Sequence, residues 1–160
     1  MKTFKPAFSI IPYIIILVAL IFFIYIYLNS RFYSFRPIIT FFFFCYLFIL
    51  IIYPTMCYKL KEEEILLICG PFVSRIKYSE IKKISKISHF KLWGIGVGMP
   101  GYYFGYGFSR KSLTIVYATT LADVIVIETD KKRYGISPKD EDVFIKFLNE
   151  KVSLTDSKNQ

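Results

Sequence analysis

Two apolar runs open the chain, Pro6 to Ser30 and Pro37 to Tyr58, and neither contains Asp, Glu, Lys, Arg or His. At about 1.5 Å of rise per residue, each is long enough as a helix to cross a hydrocarbon core of roughly 30 Å. The pattern predicts membrane helices over residues 7–28 and 38–56. Pro6 and Pro12 lie near the start of the first, where a missing N–H is tolerated; Pro37 opens the second and Pro54 ends or kinks it. The short loop between them carries Arg31 and Arg36 with Phe32, Tyr33 and Phe35, aromatics suited to a membrane interface. Without an ionisable side chain in either crossing, nothing points to a proton relay or a transport path. Residues 1–58 therefore read as a two-helix transmembrane anchor. Because two crossings return the chain to its starting side, the N-terminal tail and everything after the anchor are expected in one compartment.

Beyond residue 58 the hydrophobic period shortens. Cys57–Leu60 and Ile65–Cys69 read as a hairpin across Lys61 to Glu64, with a turn at Gly70-Pro71. Phe72, Ser74, Ile76 and Tyr78 then alternate with Val73, Arg75 and Lys77. The segment from Lys82 to Phe90 is ambiguous, since Ile81, Ile84, Ile87 and Phe90 recur every third residue as on a helix face. Lys91 to Arg110, rich in glycine and aromatics, reads as a loop. Strands are expected again at Leu113–Tyr117, Val124–Thr129 and Arg133–Ile136. A final helix has Ser137 as N-cap, Pro138 at N1 and Asp140 at N3, with Val143, Phe144, Phe147 and Leu148 on one face. This places one domain at residues 59–150, an all-β sandwich or barrel of seven strands with a C-terminal helix, and a flexible tail at 151–160.

Charge and cysteine bear on location. The formal net charge of the 160-residue chain is +9. Part of this is Lys2, Lys5, Arg31 and Arg36 around the anchor, so the domain is only mildly basic and lacks the arm that a nucleic-acid binder would carry. Lys2, Lys5, Lys59 and Lys61 on the shared side, against Arg31 and Arg36 in the loop, predict cytoplasmic termini by the positive-inside rule. Cys45, Cys57 and Cys69 form an odd set without a CxxC, which suits a reducing compartment.

No convergent catalytic set emerges. The glycines Gly94, Gly96, Gly98 and Gly101 lack the strand-before and helix-after context of a dinucleotide fingerprint, and no Gly-Lys-Ser/Thr comes after them. His89 has no partner at metal-ligand spacing, and Asp140, Glu141 and Asp142 are accounted for by a helix dipole. No catalytic residue, metal site or cofactor is assigned, and the chain is not expected to be an enzyme. Two basic clusters are candidate lipid-facing groups: Lys82, Lys83, Lys86 and Lys91, and Lys131, Lys132 and Arg133. The aromatics Trp93, Tyr102, Tyr103, Phe104 and Tyr106 are candidate partner-binding residues, because large aromatics serve as anchors at interfaces.

Several segments together resemble the bacterial PH-like (pleckstrin-homology-like) domain proteins: Met99-Pro100-Gly101 with Gly105 and Phe108, Val116 to Thr119, Val124 to Thr129, Tyr134 to Pro138, and Phe144 to Leu148. The resemblance spans about residues 57 to 150. It implies a bent β-sandwich capped by a helix, with no enzymatic activity, and it favours a strand for Lys82 to Phe90. PH domains of other organisms bind phosphoinositides through a basic loop between the first two strands; here that loop is Lys61-Glu62-Glu63-Glu64, mostly acidic. These features together predict a non-enzymatic, membrane-anchored interaction module that binds a protein partner at the membrane. The alternative is a binder of anionic lipid headgroups or a small ligand through the basic clusters and the Gly/aromatic loop.

Overall fold

The computed structural model describes residues 2–7, 9–28, 34–90, 93–109 and 112–158. Helices α1 (Ile11–Leu28) and α2 (Arg36–Ile52) form the antiparallel pair that the apolar runs predict, and both are largely uncovered by the rest of the protein. Pro12 falls in the first turn of α1 and Pro37 at the start of α2, where neither removes a needed hydrogen bond. At Ile52 α2 gives way to a tighter turn, Tyr53–Thr55, which contains Pro54.

Among the described residues, ten strands and one further α-helix make up the remainder. A four-stranded sheet has the order β1-β2-β3-β4, with β1 Lys2–Phe4, β2 Cys57–Leu60, β3 Glu64–Cys69 and β4 Phe72–Lys77. A six-stranded sheet has the order β5-β9-β10-β8-β7-β6, with β5 Ile81–His89, β6 Trp93–Met99, β7 Tyr102–Ser109, β8 Ser112–Ala118, β9 Ala122–Thr129 and β10 Arg133–Ile136. Pairing is antiparallel except between β8 and β10. Helix α3, Glu141–Lys158, closes the fold.

Period-two alternation sends side chains of the six-stranded sheet to two sides. Ile125 and Ile127 of β9, with Ile115 and Tyr117 of β8, enter the main core against Tyr58, Leu60, Ile65 and Leu67 of the other sheet. Their neighbours Val124, Val126, Val116 and Ala118 enter a second cluster completed by Phe90. The ambiguous segment is a strand. A bulge between Ile81 and Lys83 adds one residue to the pleat, so Ile81 and Ile84 reach the main core while Ile87 turns to the second cluster. This explains the three-residue spacing that imitates a helix.

Four expectations need correction. Lys91 to Arg110 is not a loop: its described part is the β6–β7 hairpin, paired from Trp93↔Phe108 to Met99↔Tyr102. The N-terminal tail supplies a strand, β1, which pairs Lys2↔Leu60 and Phe4↔Tyr58. Ser137 is not the cap of α3; the Asp140 carbonyl accepts the first helical bond from Phe144 N, and Ser137 Oγ instead accepts from Thr119 N at 2.8 Å. Finally, α3 continues to Lys158, beyond the expected end, and Val152 still packs on the core while Val143 is exposed.

Candidate functional site

The anchor and the domain share one core. Ile52, Tyr53 and Met56 at the end of α2 are buried in the same cluster as Tyr58, Ile65 and Phe144. Tyr53 packs edge-on against Tyr102 at 5.2 Å between centroids, and on its other side meets Tyr13 of α1, also at 5.2 Å. Its hydroxyl donates to the Ser9 carbonyl at 3.0 Å and accepts from Ser9 N at 3.2 Å. Thr55 Oγ1 accepts from Gly70 N at 2.6 Å. The β3–β4 turn can approach this closely only with glycine, because Gly70 has φ +58° and a Cβ there would lie 2.8 Å from the Ile52 side chain. The β6–β7 turn is seated in the same way: Gly101, at φ +87°, presses against Ser9 and Pro12.

The N-terminus locks this seat from the opposite direction. Phe4 is buried and meets Phe144 edge-on at 5.1 Å, while the Lys2 ammonium lies 3.6 Å from the Phe147 ring centroid. Backbone bonds from Ala7 N to Ser137 O and from Lys139 N to Lys5 O continue the contact. Since β1 precedes both apolar helices and β2 comes after them, their pairing brings the N-terminus and the domain to the same end of the helix pair.

Between α2 and the β6–β7 hairpin runs an apolar groove of about 300 Å³. Phe48 and Ile52 form one wall, Phe72, Ile95 and Tyr106 the others, and Phe104 the floor. Phe104 packs between Phe72, tilted at 5.1 Å, and Tyr117, edge-on at 5.2 Å. Ile95 is 86% exposed and Tyr106 53% exposed, so the rim is open. Among the described residues β6 has a single neighbour, β7, and Gly96 and Gly98 on it are exposed.

The aromatic candidates are thus divided. Tyr102 is buried, with its hydroxyl 3.2 Å from Cys69 Sγ and its ionisation pushed well above the ordinary phenol range, by burial first and by Cys69 second. Phe104 and Tyr106 belong to the groove, and Tyr103 packs against the second cluster. Lys91 and the Trp93 side chain lie outside the described residues.

The basic candidates are not brought together as one free positive face. Lys82 pairs with Asp130 and Arg133 with Glu128. Lys86 contacts Glu141 at 2.6 Å and Asp123 at 3.6 Å, and the Glu141 hydrogen bond holds its ammonium above the usual lysine range. Lys83, Lys131 and Lys132 are exposed at the surface.

Residues 56–152, more than half of the chain, match the model of the family described as bacterial PH domain. The chain belongs to the bacterial PH domain family. No curated protein and no solved structure matches it. In this PH domain the β2–β3 loop is closed by Lys61, which pairs with Glu64 at 3.1 Å and bonds its backbone. Two residues central to the domain escaped the sequence reading. Tyr58 is fully buried; its hydroxyl donates to Tyr117 O at 2.6 Å and accepts from Ser137 N at 3.3 Å, and burial drives its ionisation far upward. Phe4 joins the domain core across the whole anchor. Neither has a local signature, because both depend on partners more than fifty residues away in sequence.

Proposed function

We propose that this protein is a non-enzymatic interaction module of the cell membrane, with its termini and PH domain in the cytoplasm, which binds a protein partner along the open edge of β6. The observation that carries the reading is that edge itself. An unpaired strand is normally protected by charge, proline or a bulge. Trp93 to Met99 contains no charged residue and no proline, and Gly96 and Gly98 leave its backbone exposed. A partner segment can add to it as a further strand, taking its affinity from main-chain hydrogen bonds and its selectivity from neighbours such as Ile95 and Tyr106. The shared core supports the reading as well, because a scaffold fixed to the helix pair holds this edge in a constant position relative to it. Internal pairing of Lys82, Lys86 and Arg133 leaves the headgroup alternative with less free charge. Cytoplasmic orientation rests on Lys2, Lys5, Lys59 and Lys61 flanking the shared side.

Gly98→Lys tests this directly. Only Tyr103 Cδ1, at 3.9 Å, lies near a Cβ at this position, so the fold accommodates a side chain there. Full-length protein purified from native membranes should retain a stoichiometric protein partner with Gly98→Ala and lose it with Gly98→Lys. Retention of the same partner by Gly98→Lys would refute edge binding.

A further inference from the structure

The groove beside α2 lies at the depth of lipid tails. Arg36 opens α2 at the far side of the membrane, and Phe48 stands twelve residues, or about 18 Å, above it. In a hydrocarbon core of roughly 30 Å, that leaves Phe48 about 12 Å short of the near surface, with Ile52 about 6 Å short. The walls facing these residues are therefore at leaflet depth too. Their composition agrees: Trp93 to Ser109 carries no charged residue and is bracketed by Lys91 and by Arg110-Lys111, while Cys69 to Val73 is uncharged and exposes Phe72 and Val73. On α2, the exposed stripe Phe41, Phe44, Phe48 and Ile51 keeps helical spacing and runs straight into the groove. The groove is thus continuous with the lipid-facing surface of the anchor.

We propose that this groove is a binding site for one acyl chain of a near-leaflet phospholipid, held between Phe48 and Ile52 of α2 and Phe72, Ile95 and Tyr106 of the PH domain, over Phe104. The side chains on one face of the hairpin take the chain. Among the described residues that line it none is charged, so the site selects for hydrocarbon and is indifferent to headgroup charge.

Full-length protein in a Trp93→Phe background, reconstituted in phosphatidylcholine vesicles with bromine at mid-acyl-chain, tests the site through single tryptophans. Phe104→Trp reports the groove floor, Ile95→Trp the rim, and Lys132→Trp the polar β9–β10 turn. Phe104→Trp and Ile95→Trp should both lose most of their emission relative to unbrominated vesicles, with Lys132→Trp unaffected. Exchanging part of the phosphatidylcholine for brominated phosphatidylglycerol should leave the quenching unchanged. Quenching at Ile95→Trp without quenching at Phe104→Trp would mean that lipid passes outside a closed groove and would overturn the proposal. So would quenching at neither position. Ile95 is so exposed that its replacement disturbs little packing, which keeps the rim readable if the floor variant folds poorly.

Discussion

Replacing Phe4 by alanine probes the joint between anchor and domain. Strand β1 has only three residues, and fixing each backbone costs about 1–2 kcal/mol. Against this stand its pairing with β2, the burial of the Phe4 ring, about 1.5–3 kcal/mol, and its edge-on contact with Phe144, about 0.5–1.5 kcal/mol. The ring and ordering terms nearly cancel, so the ladder hydrogen bonds, at about 0.5–1.5 kcal/mol each, and the Lys2–Phe147 contact leave β1 docked by only about 2 kcal/mol. A buried Phe→Ala change ordinarily costs about 3–5 kcal/mol, more than this docking can supply. Phe4→Ala should therefore release β1 rather than leave a cavity, and the loss of global stability is capped near the docking energy. At about 4–8 °C per kcal/mol for a domain of this size, the full chain in detergent should melt roughly 8–16 °C lower. Hydrogen exchange should show the amides of Thr3 and Phe4 unprotected. An unchanged melting temperature with β1 amides still protected would refute the docking of β1 through Phe4.

Ser137→Ala should lower the chemical-unfolding midpoint of the full chain by the equivalent of about 1–3 kcal/mol, because it strands the buried Thr119 N–H; the Asp140-started helix should retain its far-UV signal. Gly101→Ala should destabilise the seat by at least about 1–2 kcal/mol through backbone strain alone, with its Cβ also forced to 2.6 Å from Ser9 Oγ; an unchanged midpoint would mean that the turn does not rest on α1. Burial, with Glu64 as a second cause, pushes the Tyr78 phenol up to about 12 from 10.0. Since the folded state holds this proton more tightly, the contribution is fully present below pH 10 and is lost as pH rises toward 12; unfolding midpoints measured across that range should fall.

Features that rest on local composition and period were legible in the chain alone. Uncharged runs long enough to span a bilayer specify α1 and α2 whatever domain they carry, since a helix satisfies every backbone group within the run itself. Alternation specified β4 and β8, turn signals the β2–β3 hairpin and a β-branched run β9, and the PH resemblance favoured a strand for β5. Long-range contacts decided the rest. Glycine at 94, 96 and 98 and again at 105 and 107 hides a strand period, because glycine lacks both side chain and strand preference, and long-range contacts, the pairing with β8 and the seat of Gly101 on Ser9 and Pro12, hold the hairpin. Ser137 fits a helix cap locally, yet the Thr119 N–H that it satisfies is brought to it by the parallel β8–β10 pair. Lysines that look like a free cluster along the chain meet Asp130, Asp123 and Glu141 only after β5 pairs with β9 and α3 folds back. The most consequential element, β1, has no local signal at all: three residues become a strand only because the helix pair returns the chain to where β2 offers an edge and Phe144 a place for Phe4.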